Sequence, residues 1–139
     1  MEYIKESIFI TSYNSTGFGL AAQNYSNTLL LFSDVLFIQE HFLLDNNKDK
    51  KHSNTNKLVN VLGNTHDMSI VPAFKPTTYI SRGRGQGGLV TLWRKELTKY
   101  VSKIHCSNFR LQATKFTFEK NNLLVVNAYF CLRPETRSL

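Results

Sequence analysis

A short run of Val35, Leu36, Phe37 and Ile38 stops abruptly on Gln39 and Glu40, and this feature restricts the fold most. Successive β-prone residues without polar alternation describe a strand covered on both faces. Such a strand belongs at the centre of a layered structure. An earlier apolar run, Ile8, Phe9 and Ile10, is followed by Ser12, Tyr13 and Asn14. Between the two, Phe18, Ala21, Ala22, Tyr25, Leu29 and Phe32 recur at spacings of three and four, which predicts an amphipathic helix. Strand 8–14, helix and strand 34–40 make a parallel pair joined by a right-handed crossover. In open α/β sheets the carboxyl edge of the strands is where ligands are handled. Asn14 and Glu40 share that edge. A carboxylate ending a strand that is covered on both faces is read as employed rather than idle.

The rest of the chain is mostly β. Residues 45–57 are polar and rich in Asn and Lys, which reads as a loop whose composition favours disorder. A short helix over 57–62 stops at Gly63 and Asn64. Strands are predicted at 69–74, 77–81, 88–93, 109–119 and 123–130, the last two joined by a hairpin turn at Lys120, Asn121 and Asn122. With 139 residues the chain makes one domain, residues 1–139, large enough for a core.

Charge is divided unevenly within a net +7. Residues 1–47 carry one lysine against five acidic groups, and residues 48–139 carry sixteen Lys and Arg against five acidic groups. A basic part beside a carboxylate-bearing edge suits a polyanion held next to a cation. Arg82, Arg84, Arg94 and Lys95, with Lys99 and Lys103, are the candidate phosphate contacts. No run approaches the roughly 20 apolar residues of a membrane span, and the first residues lack a secretory pattern. The expectation is an intracellular chain, nuclear or cytoplasmic. Cys106 and Cys131 read as buried thiols rather than a disulfide framework or a zinc site.

Gly83-Arg84-Gly85-Gln86-Gly87-Gly88 satisfies G-x-G-x-x-G. A dinucleotide site needs those glycines between a first strand and a helix. Here they lead into Leu89-Val90-Thr91-Leu92-Trp93, a strand. With Val90 they also fit a kinase glycine loop, but the chain has neither H-R-D nor D-F-G. The favoured reading is a tight connection whose glycines permit positive φ, with Arg82 and Arg84 facing phosphates.

Four segments together carry a resemblance. They are Ser12-Tyr13-Asn14, Asp34-Val35-Leu36-Phe37-Ile38-Gln39-Glu40-His41, Arg84-Gly85-Gln86-Gly87-Gly88-Leu89-Val90-Thr91-Leu92-Trp93 and Val126-Asn127-Ala128-Tyr129-Phe130. In order and spacing they resemble the endonuclease/exonuclease/phosphatase family, and within it the apurinic-type endonuclease domain of non-LTR (LINE-like) retrotransposons. The resemblance covers nearly the whole chain and the first half to two-thirds of the family domain. It implies an α/β (α+β) fold, a partial four-layer α/β sandwich with a mixed β-sheet flanked by helices and the second sheet largely missing. It also implies Mg²⁺- or Mn²⁺-dependent phosphodiester cleavage on DNA. By position Glu40 would ligate the metal, Asn14 would orient metal and phosphate, and Tyr129 would contact the phosphate. A hard divalent cation wants such oxygen ligands.

The departures from the family pattern are as specific. The family's Asp-x-Asn, expected after Tyr129, and its closing Asp-His pair are not found in the sequence. Asp45-Asn46-Asn47 mimics the first in the wrong place, and His66-Asp67 has the letters of the second reversed and too early. The resemblance therefore implies impaired activity for the chain alone, an uncovered inner sheet face, and a C-terminal half or dimer partner. The alternative is a non-catalytic, basic nucleic-acid-binding remnant.

Overall fold

A computed structural model of the chain describes residues 7–45, 54–75 and 85–130. The first unit is the predicted one. β1 (Ile10–Asn14), α1 (Leu20–Leu30) and β2 (Val35–Gln39) follow one another, and β1 pairs parallel with β2 in a register that sets Asn14 opposite Gln39. After α2 (Asn56–Leu62), β3 (His66–Val71) and β4 (Leu89–Arg94) complete a mixed sheet in the order β1-β2-β4-β3. Both β2 and β3 run antiparallel to β4. A 3-10 helix, Lys95–Tyr100, carries the chain across to β5 (Val101–Ile104), β6 (Leu111–Thr117) and β7 (Asn122–Ala128), an antiparallel sheet in that order.

Side-chain alternation explains how the layers stack. Leu36 and Ile38 of β2, with Val90 and Leu92 of β4, point to the helices and pack with Phe18, Leu30, Leu58 and Leu62. Val35 and Trp93 point the other way and pack with Leu97, Phe116 and Val125. β2 is thus covered on both faces, as its apolar run requires. The mixed α/β sandwich is the expected class. The second sheet, expected to be largely missing, contributes three strands that cover β2 and β4. The expected bare inner face is restricted to β1, where Ile10, Ser12 and Asn14 are exposed.

Several elements differ in detail. The buried stripe of α1 is Ala22, Ser26 and Leu30, continuing from Phe18 at intervals of four. Ala21, Tyr25 and Phe32, expected on that face, are exposed, and Tyr25 stacks edge-on against Tyr13 at 4.8 Å. β3 starts three residues before the prediction because the polar His66 and Asp67 pair with Arg94 and Trp93. The 3-10 helix and β5 were not predicted. Leu97 anchors that crossing, fully buried between the sheets. Cys106 is only partly buried. The predicted strand at 77–81, the middle of the polar loop and Cys131 lie outside the described residues. Among the described residues no helix is long and apolar enough to cross a membrane.

Candidate active site

Glu40 follows β2 directly with φ +58°, a left-handed conformation that a residue with a side chain adopts at a cost. Its backbone is clamped from both sides. The Glu40 N–H donates to Gly88 O at 2.8 Å, and Glu40 O accepts from the Gly17 N–H at 2.7 Å and the Ser15 hydroxyl at 3.3 Å. Phe42, at φ +62°, repeats the pattern by donating its N–H to Gly87 O at 3.0 Å. Two loops therefore hold the Glu40 backbone at the strand end.

His41, between these two, is fully buried. The Leu43 N–H donates to Nδ1 at 2.9 Å, so the proton sits on Nε2, which donates to Val71 O at 3.1 Å. Burial lowers its pKa from 6.5 to about 4. The ring is a structural pin, not an acid or base.

The glycine segment works as a close-approach connection. Gly87 has φ +73° and Gly88 φ +97°. A Cβ on Gly87 would collide with the Tyr129 hydroxyl, and one on Gly88 with the His41 ring. That contact brings Tyr129 of the second sheet to the backbone that pairs with Glu40 and Phe42. Asn14 stands opposite Gln39 on the exposed flank of β1. Asn14, Glu40 and Tyr129 thus meet at one end of the sandwich.

The interior below them is polar. Gln39 Nε2 donates to Asn127 Oδ1 at 2.8 Å and to Ser12 Oγ at 2.9 Å. Asn127 Nδ2 in turn donates to Val90 O at 3.0 Å and Ile38 O at 3.3 Å. Gln112, opposite Asn127, accepts from Thr91 Oγ1 and donates to Ser69 O, both at 2.7 Å. Along β6 and β7 the inward pairs run from Phe116 and Leu123, through Thr114 and Val125, to Gln112 and Asn127. The next residues are Arg110 and Tyr129, joined by the Tyr129 N–H donating to Arg110 O at 3.3 Å. The cleft between the sheets changes from apolar to charged towards Glu40. Arg110, Gln39 and Asn127 were not singled out as site residues in the sequence. The signal for Arg110 was its place in the alternation of β6.

Of the predicted basic contacts, Arg82 and Arg84 lie outside the described residues. Arg94 and Lys95 are at the opposite end of β4, about 16 Å from the Glu40 edge by strand rise. Arg94 Nε donates to the buried Asp34 carboxylate at 2.9 Å. His66 and Asp67 pair with that same far end. A cleft of about 610 Å³ lies there too, lined by Val59, Met68, Trp93 and Lys103 among others, with the Asp67 carboxylate accepting from the Thr98 hydroxyl.

Among the described residues no three His, Cys, Asp or Glu side chains form a cation cage. Asn14 Oδ1 already accepts from the Thr16 N–H and hydroxyl, each at 3.1 Å, which uses both lone pairs and leaves its NH₂ to donate outward. Of Asn14, Glu40 and Tyr129, Glu40 is the one that carries a carboxylate. This set fits Mg²⁺ or Mn²⁺ that keeps several waters and shares a substrate phosphate. It does not suit an ion held by protein alone.

No protein-family model matches the chain, and no curated protein matches it. Among solved structures it is similar to the AP endonuclease LMAP from Leishmania major, with a TM-score of 0.59 and 14% sequence identity. The match covers 93% of this chain and 45% of that one, so the chain spans under half the length of that protein. At such identity the likeness shows the fold alone, a mixed α/β sandwich of two sheets shared with part of that protein.

Proposed function

We propose that the Glu40 edge handles phosphate in a Mg²⁺- or Mn²⁺-dependent phosphodiesterase that nicks DNA, of the apurinic-type endonuclease kind found in non-LTR retrotransposons. The observation that carries this reading is the left-handed Glu40, held by hydrogen bonds on both sides at the end of a buried strand. Strain of that sort persists where the surroundings over-determine it, and it gathers at functional sites. Glu40 would hold the cation together with a phosphate oxygen. The chemistry such a cation would supply is polarisation of the phosphate and charge stabilisation of the leaving oxygen. The Asn14 amide donates to a non-bridging oxygen, and the Tyr129 hydroxyl orients the phosphate from the second sheet.

A general base is the weak point of the site. Both His41 nitrogens are engaged, and Asp34, His66 and Asp67 belong to the far end. Lack of a base lowers a rate by about 10²–10⁴, so slow turnover is expected from the described residues unless another segment or a partner supplies one. The test is nicking of supercoiled plasmid in Mg²⁺ and in Mn²⁺, beside Glu40→Ala. Slow nicking that the substitution abolishes is the expected result, and nicking that survives it removes Glu40 from the mechanism.

A second reading, a basic nucleic-acid binder without turnover, is favoured by the concentration of Lys and Arg in residues 48–139. Folded wild-type protein that binds DNA with a steep salt dependence but never nicks it would establish that reading.

A further inference from the structure

Phe74, Phe109 and Arg110, at the mouth of the cleft, have no part in either core. Phe74 and Phe109 pack together with ring centroids 4.6 Å apart, and neither belongs to either hydrophobic cluster. Phe74 leans on Gly87 beside the Tyr129 hydroxyl. Phe109 sits on a turn made by Asn108, which accepts from the Arg110 N–H at its side chain and from the Leu111 N–H at its carbonyl. That corner leaves Phe109 45% exposed. The Arg110 guanidinium lies 5.6 Å from the Phe109 ring centroid, and its Nε is buried without a hydrogen-bond partner.

A buried, unpartnered guanidinium donor is costly unless something accepts from it. A half-exposed aromatic ring beside a cation is what an unstacked base and its phosphate need, since every base has a π-face. The planar guanidinium fork of Arg also matches a pair of phosphate oxygens better than a lysine does. We propose that Phe109, supported by Phe74, stacks an unpaired base while Arg110 binds that nucleotide's phosphate, so that this edge takes DNA with an unpaired base, single-stranded or opened from the duplex. The proposal rests on the reading of the Glu40 edge as a phosphate site, and it names the form of nucleic acid presented there.

The test measures anisotropy of a labelled single-stranded oligonucleotide with the whole chain, in chelator and at low salt. Phe109→Leu keeps an apolar side chain but removes the π-face, and it weakens binding about tenfold. Phe109→Trp restores it. An oligonucleotide of the same length built only of abasic sugar-phosphate units binds wild type and Phe109→Leu equally. Arg110→Gln lowers the slope of log affinity against log salt by about 0.7. Equal binding of the base-bearing strand by wild type and Phe109→Leu overturns the proposal, as does absence of binding at low salt. The metal-free measurement is independent of plasmid nicking. Stacking without Glu40-dependent nicking sinks the Glu40 reading and keeps this one, and the reverse result does the opposite.

Discussion

Glu40 places a side chain where the backbone would accept glycine more readily, and the two roles can be separated by substitution. Glu40→Ala and Glu40→Gly both delete the carboxylate, but only alanine retains the left-handed penalty of φ +58°. Urea unfolding is expected to find the glycine variant about 1 kcal/mol more stable than the alanine variant, with neither supporting nicking. Equal stabilities would mean that the clamp around Glu40 relaxes in solution. Gly88 is the reciprocal case. At φ +97° against the His41 ring, Gly88→Ala is expected to lose roughly 1–3 kcal/mol and to lower the thermal midpoint. The position of Glu40 at the end of a buried strand was legible from its place after an apolar run. Its conformation was not, because it results from hydrogen bonds to Gly17 and Gly88, which are distant in sequence.

At the level of elements, the decisive connection is the polar bolt between the sheets. Asn127 of β7 ties Gln39 to the backbone of β2 and β4, and it precedes Tyr129 by two positions on the same strand face. Asn127→Leu leaves the Gln39 amide with only Ser12 Oγ of its two acceptors and should cost about 1–3 kcal/mol. Removing both partners, as Gln39→Leu with Asn127→Leu, should recover part of that loss. A double-mutant cycle in urea checks it, and strictly additive costs would show that the two side chains are not coupled. β1, α1 and β2 were readable because their contacts are local and their periodicities clear. β5 and the preceding 3-10 helix were not, since Val101–Ile104 is short and its pairing with β6 supplies what its own residues do not.

For the whole molecule, two buried histidines link stability to pH. His41 is pushed from 6.5 down to about 4 by burial, and burial lowers His66 as well, with Arg94 adding to the effect. Both rings stay neutral in the folded chain and take up protons once unfolded. Each contribution is therefore complete above pH 6.5 and declines as pH falls below it, the His41 part down to about pH 4. The His41 part amounts to about 3 kcal/mol at its full extent. Urea midpoints measured from pH 7.5 to 4.5 should fall with acid, and His41→Gln should flatten the slope. An unchanged slope would mean that the ring is hydrated in solution.

The sequence by itself determined the strand-helix-strand opening, the doubly covered β2 and the carboxylate at its end, because each follows from residue order within one element. Tertiary structure alone decided which basic residues lie at that end of the sandwich and which at the other. Arg94 looked like a phosphate contact by composition, yet the antiparallel pairing of β4 with β2 carries it to the far end and into the Asp34 carboxylate. Arg110 was one basic residue among sixteen in residues 48–139 until the register of β6 against β7 set it beside Tyr129. Register and strand direction are settled by the packing of two whole sheets, and no local stretch of this chain encodes them alone.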